Sequence, residues 1–299
     1  MNPPVTWLYV PGDRPERFGK AVASGADVVI LDLEDAVAPA RKDEARANAV
    51  AYLRSRGDGP SGAEVHVRVN DLATGRGRAD LEAVAERADG IRLPKVESPA
   101  MLDTVLGGGP RSGPRSGPRS GLDGNAGAPV YALLESAAGI VAAREIAAHP
   151  RVAGVALGEQ DLAAELAVTD EHAMNHLRLQ VVLAAAAAGL PPVPMSVYPN
   201  VKDEAGLLAS CRAGRALGLF GRTAIHPRQI PVIGQAFRPD DEEVARAAEI
   251  VEAAERAERT DTGAIALPDG RFVDAPIVAR ARRTVALARR LADPPSTDG

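Results

Sequence analysis

Cysteine and aromatic side chains are scarce in this chain. Its 299 residues hold one Cys, four Phe, four Tyr and one Trp. A lone Cys211 excludes an internal disulfide and fits a reducing cytoplasm. With aromatics at 3%, the core must rest on Ala, Val, Leu and Ile. Long hydrophobic runs are missing too. The stretch VVLAAAAAGL is far too short and too weakly apolar to span a bilayer, so no membrane partner is expected. The opening MNPPVTWLYVPG has no basic flank before an apolar core, so no signal peptide is expected and the cytoplasm is the expected compartment. Positive charge is not in excess. The net charge of −5 argues against nucleic acid as a partner. HxH, CxxC and GxSxG patterns are absent, which leaves zinc and serine hydrolysis without support. Walker A and Rossmann fingerprints are absent as well.

What the chain does have is a series of short apolar runs, each marked by polar residues near its C-terminal end. TWLYV leads to Arg14 and Arg17, DVVIL to Asp32, Glu34 and Asp35, VHVRV to Arg68 and Asn70, and IRLP to Lys95. VYALL leads to Glu135, VAGVAL to Glu159 and Asp161, VPMSVY to Asn200 and Asp203, and TAI to His226. The runs predict strands over 5–10, 27–32, 64–69, 90–93, 129–134, 152–157, 192–197 and 219–225. They are nearly continuous rather than alternating, as in strands buried on both faces. Ala-rich helical patterns lie between them, at 15–24, 39–55, 79–88, 98–105, 138–148, 171–189 and 203–217. Strand–helix alternation implies parallel strands with right-handed crossovers. Eight repeats predict an α/β fold, a TIM (β/α)8 barrel over residues 1–238, whose strand ends share the face where such barrels do chemistry.

Residues 107–128 break the pattern. They are Gly-rich and contain GPRS three times, a composition that buries little and opposes helix and strand. The expectation is a flexible surface insertion at 109–128. A basic contact arm built on Arg111, Arg115 and Arg119 is the alternative. Residues 239–299 form a C-terminal extension: a helix over 239–258, a hairpin turning near Asp269-Gly270 and a last helix over 276–292, together read as a lid or oligomer contact.

Glu135 and Asp161 follow consecutive strands, which lie ~4.8 Å apart in a sheet. Their carboxylates suit Mg²⁺, with water and substrate oxygens filling the other positions. Paired helix caps or salt bridges are the alternative. Arg68 sits in an apolar strand and needs an anionic partner. That partner is either a neighbour among Asp32, Glu34 and Asp35 or a substrate carboxylate gripped through two bonds. Arg14, Arg17 and Lys20 form either a solvated basic patch or a contact for a phosphate-rich ligand; Arg17 and Lys20 share a helix face. His226 reads as structural or supporting. Lys95 reads as a Schiff-base lysine or, more simply, as a charge partner at the rim.

The blocks WLYVPGDRPERFGKA, GADVVILDLEDAVAPARKDEAR, VRVN, LPKVES, LLESAAGI, GEQDLAAEL and GRTAIHPRQI, in this order, resemble the citrate lyase beta-subunit-like family of the HpcH/HpaI aldolase superfamily. The resemblance spans about residues 5–285. It implies a TIM barrel whose C-terminal extension reaches a neighbouring subunit in a homotrimer or hexamer. It implies Mg²⁺ held at Glu135 and Asp161, and Arg68 polarising the substrate oxygens. Arg14, Arg17 and Lys20 would lie on the CoA side, with Arg17 and Lys20 at its phosphates. Asp274 would act as acid/base in trans, and Asp32, Glu34, Asp35, Lys95 and His226 would support the site. The implied reaction is retro-Claisen cleavage of a carboxylate-bearing 3-hydroxyacyl-CoA such as malyl-CoA or citramalyl-CoA. Thioester hydrolysis, cleavage of free 4-hydroxy-2-oxoacids and a catalytically silent ligand-binding barrel are the alternatives. The PGDRPERFGKA block favours a CoA thioester over a free acid. One departure stands out: many relatives carry Asp in the seventh-strand block where this chain has Met195, which bears on the pocket wall near Tyr198.

Overall fold

The computed structural model describes residues 3–56, 62–106, 128–259, 265–266 and 272–292. Contacts divide the chain into two units, Pro3–Phe237 and Arg238–Gly299. In the first unit seven parallel strands form one sheet: β1 (Thr6–Pro11), β2 (Val28–Asp32), β3 (Glu64–Arg68), β4 (Gly90–Leu93), β5 (Val130–Leu134), β6 (Val152–Leu157) and β7 (Arg222–Ala224). Their spatial order is β6-β5-β4-β3-β2-β1-β7. The residues of β2 are buried without exception, so both faces of the sheet are covered, as the unbroken apolar runs required.

The expected seventh strand, 192–197, is a correction. Pro191, Pro192 and Pro194 lack the N–H that a ladder needs. Only Met195 forms a bridge, parallel to Arg222. The segment still does a strand's work. Val193 O accepts from Phe220 N at 2.9 Å, while Met195 donates to Gly221 O and accepts from Thr223 N, both at 3.0 Å. On its other side the Ser196 hydroxyl donates to the Leu157 carbonyl of β6. The segment thus contacts both edge strands of the sheet, β7 through its backbone and β6 through the Ser196 side chain.

The helices follow the predicted order with three differences. The one expected at 79–88 runs Gly75–Val84, because Thr74 caps it early by accepting from Gly77 N at 3.1 Å. The one expected at 138–148 is split into Ala137–Val141 and Ala143–Ala148. Helices Glu159–Leu166 and Gln229–Phe237 were not foreseen. The GPRS repeats lie outside the described residues. No described helix is long and apolar enough to cross a membrane.

The second unit contains the helix Asp241–Arg259, an antiparallel pair of short strands, β8 (Ile265–Ala266) and β9 (Phe272–Val273), and the helix Ala275–Ala292. Ala253, Ala254, Val273 and Val278 form its core with Ile250 against them. The turn expected near Asp269-Gly270 lies outside the described residues.

Candidate active site

Strand register builds the site. Asp32, Arg68, Arg92 and Tyr131 are partners across β2, β3, β4 and β5, so their side chains share one face of the sheet. Asp32 holds Arg68 through two bonds, from Nε and Nη2, each 2.7 Å long. Arg68 Nη1 donates to Asp35 at 3.1 Å and lies 3.0 Å from Glu34 Oε2 without hydrogen-bond alignment. The guanidinium also stands 4.8 Å over the Tyr9 ring. Burial works against its charge, and Tyr9, Asp32 and Glu34 more than offset this, so its pKa lies above that of a free guanidinium. Asp32 is itself fixed by the Glu34 and Ala36 amides at 2.9 and 3.1 Å. Burial, and then the negative charge of Asp35, Glu135 and Asp32, push the Glu34 carboxyl up to about 8 despite Arg68. Glu34 is therefore protonated at neutral pH.

Glu135 follows β5 and is buried. The Lys95 amide donates to its Oε1 at 2.7 Å, and Lys95 takes the left-handed φ of +53°. A side chain there costs backbone strain, and such strain collects at functional positions. Gly158, after β6, lies directly against Glu135: an added Cβ would meet Glu135 Cβ at 2.4 Å and Oε2 at 2.6 Å. Burial raises the Glu135 pKa, and the nearby Asp161 carboxylate adds to the effect. Asp161 is exposed in the first turn of the helix Glu159–Leu166. Among the described residues no three or more Asp, Glu, His or Cys side chains cluster as a complete metal cage. Glu135 and Asp161 offer carboxylate oxygens, the donor type that magnesium takes, rather than the Cys and His donors of a structural zinc site.

The remaining residues fall around this centre or away from it. Arg14, Arg17 and Lys20 are exposed on the turn and short helices after β1. Among the described residues their ion pairs are Arg14–Asp13 at 3.9 Å and Arg17–Glu16 at 3.8 Å, long contacts worth little at a surface. His226 is exposed and its Nδ1 accepts from the Arg228 amide, a local turn contact. Glu159 is tied to Arg178 at 2.6 and 2.9 Å. Asp274 belongs to the second unit, where it accepts from Ile277 N at 3.1 Å at the start of the helix Ala275–Ala292. Met195 packs on Gly214 of the helix Glu204–Ala216, with its sulfur 3.9 Å from Arg222 Nη1. Met195 thus sits between the strand and helix layers. Three contributors were missed. Tyr9 sits among Arg68, Asp32, Arg92 and Glu135. Lys42 donates to Asn70 Oδ1 and to Glu34 O. Arg92 is 2% exposed inside β4. The signal for Arg92 in the sequence is the one that marks Arg68, an arginine inside an apolar strand.

Residues 6–227 match the model of the HpcH/HpaI aldolase/citrate lyase family. The chain belongs to that family. A (3S)-malyl-CoA thioesterase of Cereibacter sphaeroides is 39% identical over 95% of this chain and 94% of its own length. A citrate lyase subunit beta-like protein of Mycobacterium tuberculosis is 39% identical over 92% of each. Among solved structures, CitE of M. tuberculosis in complex with magnesium, acetoacetate and coenzyme A superposes with a TM-score of 0.75 at 34% identity. That match covers 96% of this chain and 98% of CitE. Membership in the HpcH/HpaI family agrees with the expected relationship and with the α/β barrel.

Proposed function

We propose that the chain is a magnesium-dependent carbon–carbon lyase acting on a carboxylate-bearing 3-hydroxyacyl-CoA thioester of the malyl-CoA or citramalyl-CoA kind. The observation that carries this is Arg68, held charged by Asp32 and its carboxyl neighbours, beside Glu135, whose carboxylate is buried and fixed by the Lys95 amide. Glu135 and Asp161 would hold Mg²⁺, which when bound acidifies a ligating hydroxyl and neutralises charge on substrate oxygens. The remaining tasks belong to the chain. In retro-Claisen cleavage the hydroxyl proton departs, the bond between C2 and C3 breaks, and its electron pair passes into the thioester enolate. Arg68 stabilises that oxyanion from a preorganised position. Protonation of the enolate carbon gives acetyl-CoA and a 2-oxo acid. Asp274 of a neighbouring subunit in a trimer or hexamer carries the proton. Arg14, Arg17 and Lys20, exposed and only loosely paired, line the CoA side, with Arg17 and Lys20 on its phosphates.

The thioesterase among the relatives favours a second reading, in which water attacks the thioester carbonyl and the C–S bond breaks. A panel of short acyl-CoA esters, incubated with Mg²⁺ and followed by mass spectrometry, separates the two. Acetyl-CoA with an oxo acid supports the lyase. Free CoA with an intact hydroxy acid supports the thioesterase. Neither pair of products, across malyl- and citramalyl-CoA, sinks both.

A further inference from the structure

Three buried side-chain atoms among the described residues lack a hydrogen-bond partner: Glu34 Oε2, His66 Nδ1 and Arg92 Nε. Buried polar atoms without partners call for an explanation. Glu34 Oε2 has the Arg68 cation 3.0 Å away. Burial lowers the His66 pKa and keeps that ring neutral, so one unfilled acceptor there costs little. Arg92 has neither escape. A guanidinium stays charged in proteins, and among the described residues this one makes no side-chain hydrogen bond and no ion pair. It is 2% exposed, and the Tyr131 ring lies 4.9 Å from its Cζ. An isolated buried charge of this kind is strongly unfavourable unless an anion meets it.

Its position says which anion. Arg92 is the direct register partner of Arg68 and shares its face of the sheet. Arg92, Arg68 and Glu135 all bear on the Tyr9 phenol, so Arg92 borders the same centre. Arg68 is already matched by the Asp32 and Asp35 carboxylates. A substrate carboxylate entering here meets those groups together with Glu135, and Arg92 is the cation beside them that makes no ion pair among the described residues.

We propose that Arg92 binds the carboxylate of the acyl substrate and so selects carboxylate-bearing acyl groups. The inference rests on the proposed acyl-CoA chemistry of the same site, and its test is kept separate from turnover. Pyruvate, its uncharged methyl ester and acetyl-CoA are each titrated calorimetrically, with Mg²⁺, into the full-length wild type and Arg92→Met. The variant is expected to weaken pyruvate at least tenfold and to leave methyl pyruvate and acetyl-CoA unchanged. Because it removes an unpaired buried charge, it is also expected to melt higher than the wild type. Unchanged pyruvate affinity, or equal weakening of pyruvate and its ester, overturns the assignment. If Arg92→Met does not fold, Arg92→Gln is held to the same comparison. A wild type that binds acetyl-CoA but not pyruvate overturns the role of Arg92 alone. One that binds neither overturns the functional reading as well.

Discussion

A carboxyl group shielded from water and surrounded by other carboxyl groups keeps its proton, and Glu34 does so up to about pH 8. The unfolded chain releases that proton near 4.5, the ordinary value for the group. Between these two values the folded state binds more protons than the unfolded one, so stability falls as pH rises, by up to ~1.4 kcal/mol per pH unit. Above about 8 both states are ionised and the fall stops. Glu34→Gln keeps a neutral side chain throughout and removes the slope. Thermal melts of both proteins at pH 5, 6, 7 and 8 are expected to show the variant gaining on the wild type with each step. A constant difference across the series would mean that Glu34 is ionised in the folded protein. The same residue marks the limit of sequence reading at this scale. DLEDAV shows three carboxylates near a strand end, and Arg68 in its apolar strand shows a cation that needs them. Which of the three grips Arg68 through two bonds, and which stays protonated, depends on register and burial.

Single turns decide whether the site residues meet. The turn after β6 brings the backbone of Gly158 against Glu135, and the turn after β4 aims the Lys95 amide at its carboxylate. Gly158→Ala forces a methyl group into the Glu135 side chain. It is expected to cost about 1–3 kcal/mol of stability and to reduce turnover by more than tenfold, measured by denaturant melts and acyl-CoA cleavage. Wild-type turnover in this variant would show that Glu135 can move without consequence. The strand ends were readable because parallel strands buried on both faces write themselves as unbroken apolar runs. The seventh was misread for the same reason. Val193, Met195 and Val197 are apolar enough for a strand, and Pro191, Pro192 and Pro194 remove the donors that make one. The helix Glu159–Leu166 is hidden in the sequence because GEQDLAAEL opens on the polar residues of a strand end. Its first turn carries both Glu159 and Asp161, and helix geometry is what sends one to Arg178 and leaves the other exposed.

At the scale of the whole molecule, chemistry is proposed for two units. The barrel carries Arg68, Glu135 and Asp161, and the second unit carries Asp274. If Asp274 acts on a neighbouring subunit's barrel, Asp274→Asn and Arg68→Ala proteins are each inactive alone. Mixed and allowed to exchange subunits, they are expected to regain a measurable part of wild-type activity. Continued inactivity, with exchange proven by native mass spectrometry, would place Asp274 outside the reaction. Its capping contact with Ile277 gives it a structural task in either case.

The proline-marked segment that contacts β6 and β7 has a consequence of a different kind. Before that segment docks, a growing barrel has two open sheet edges, each a template for a strand from another molecule. A segment with three prolines offers few donors to such a stranger and cannot itself extend a foreign sheet. The seam thus offers a foreign strand few N–H donors to pair with.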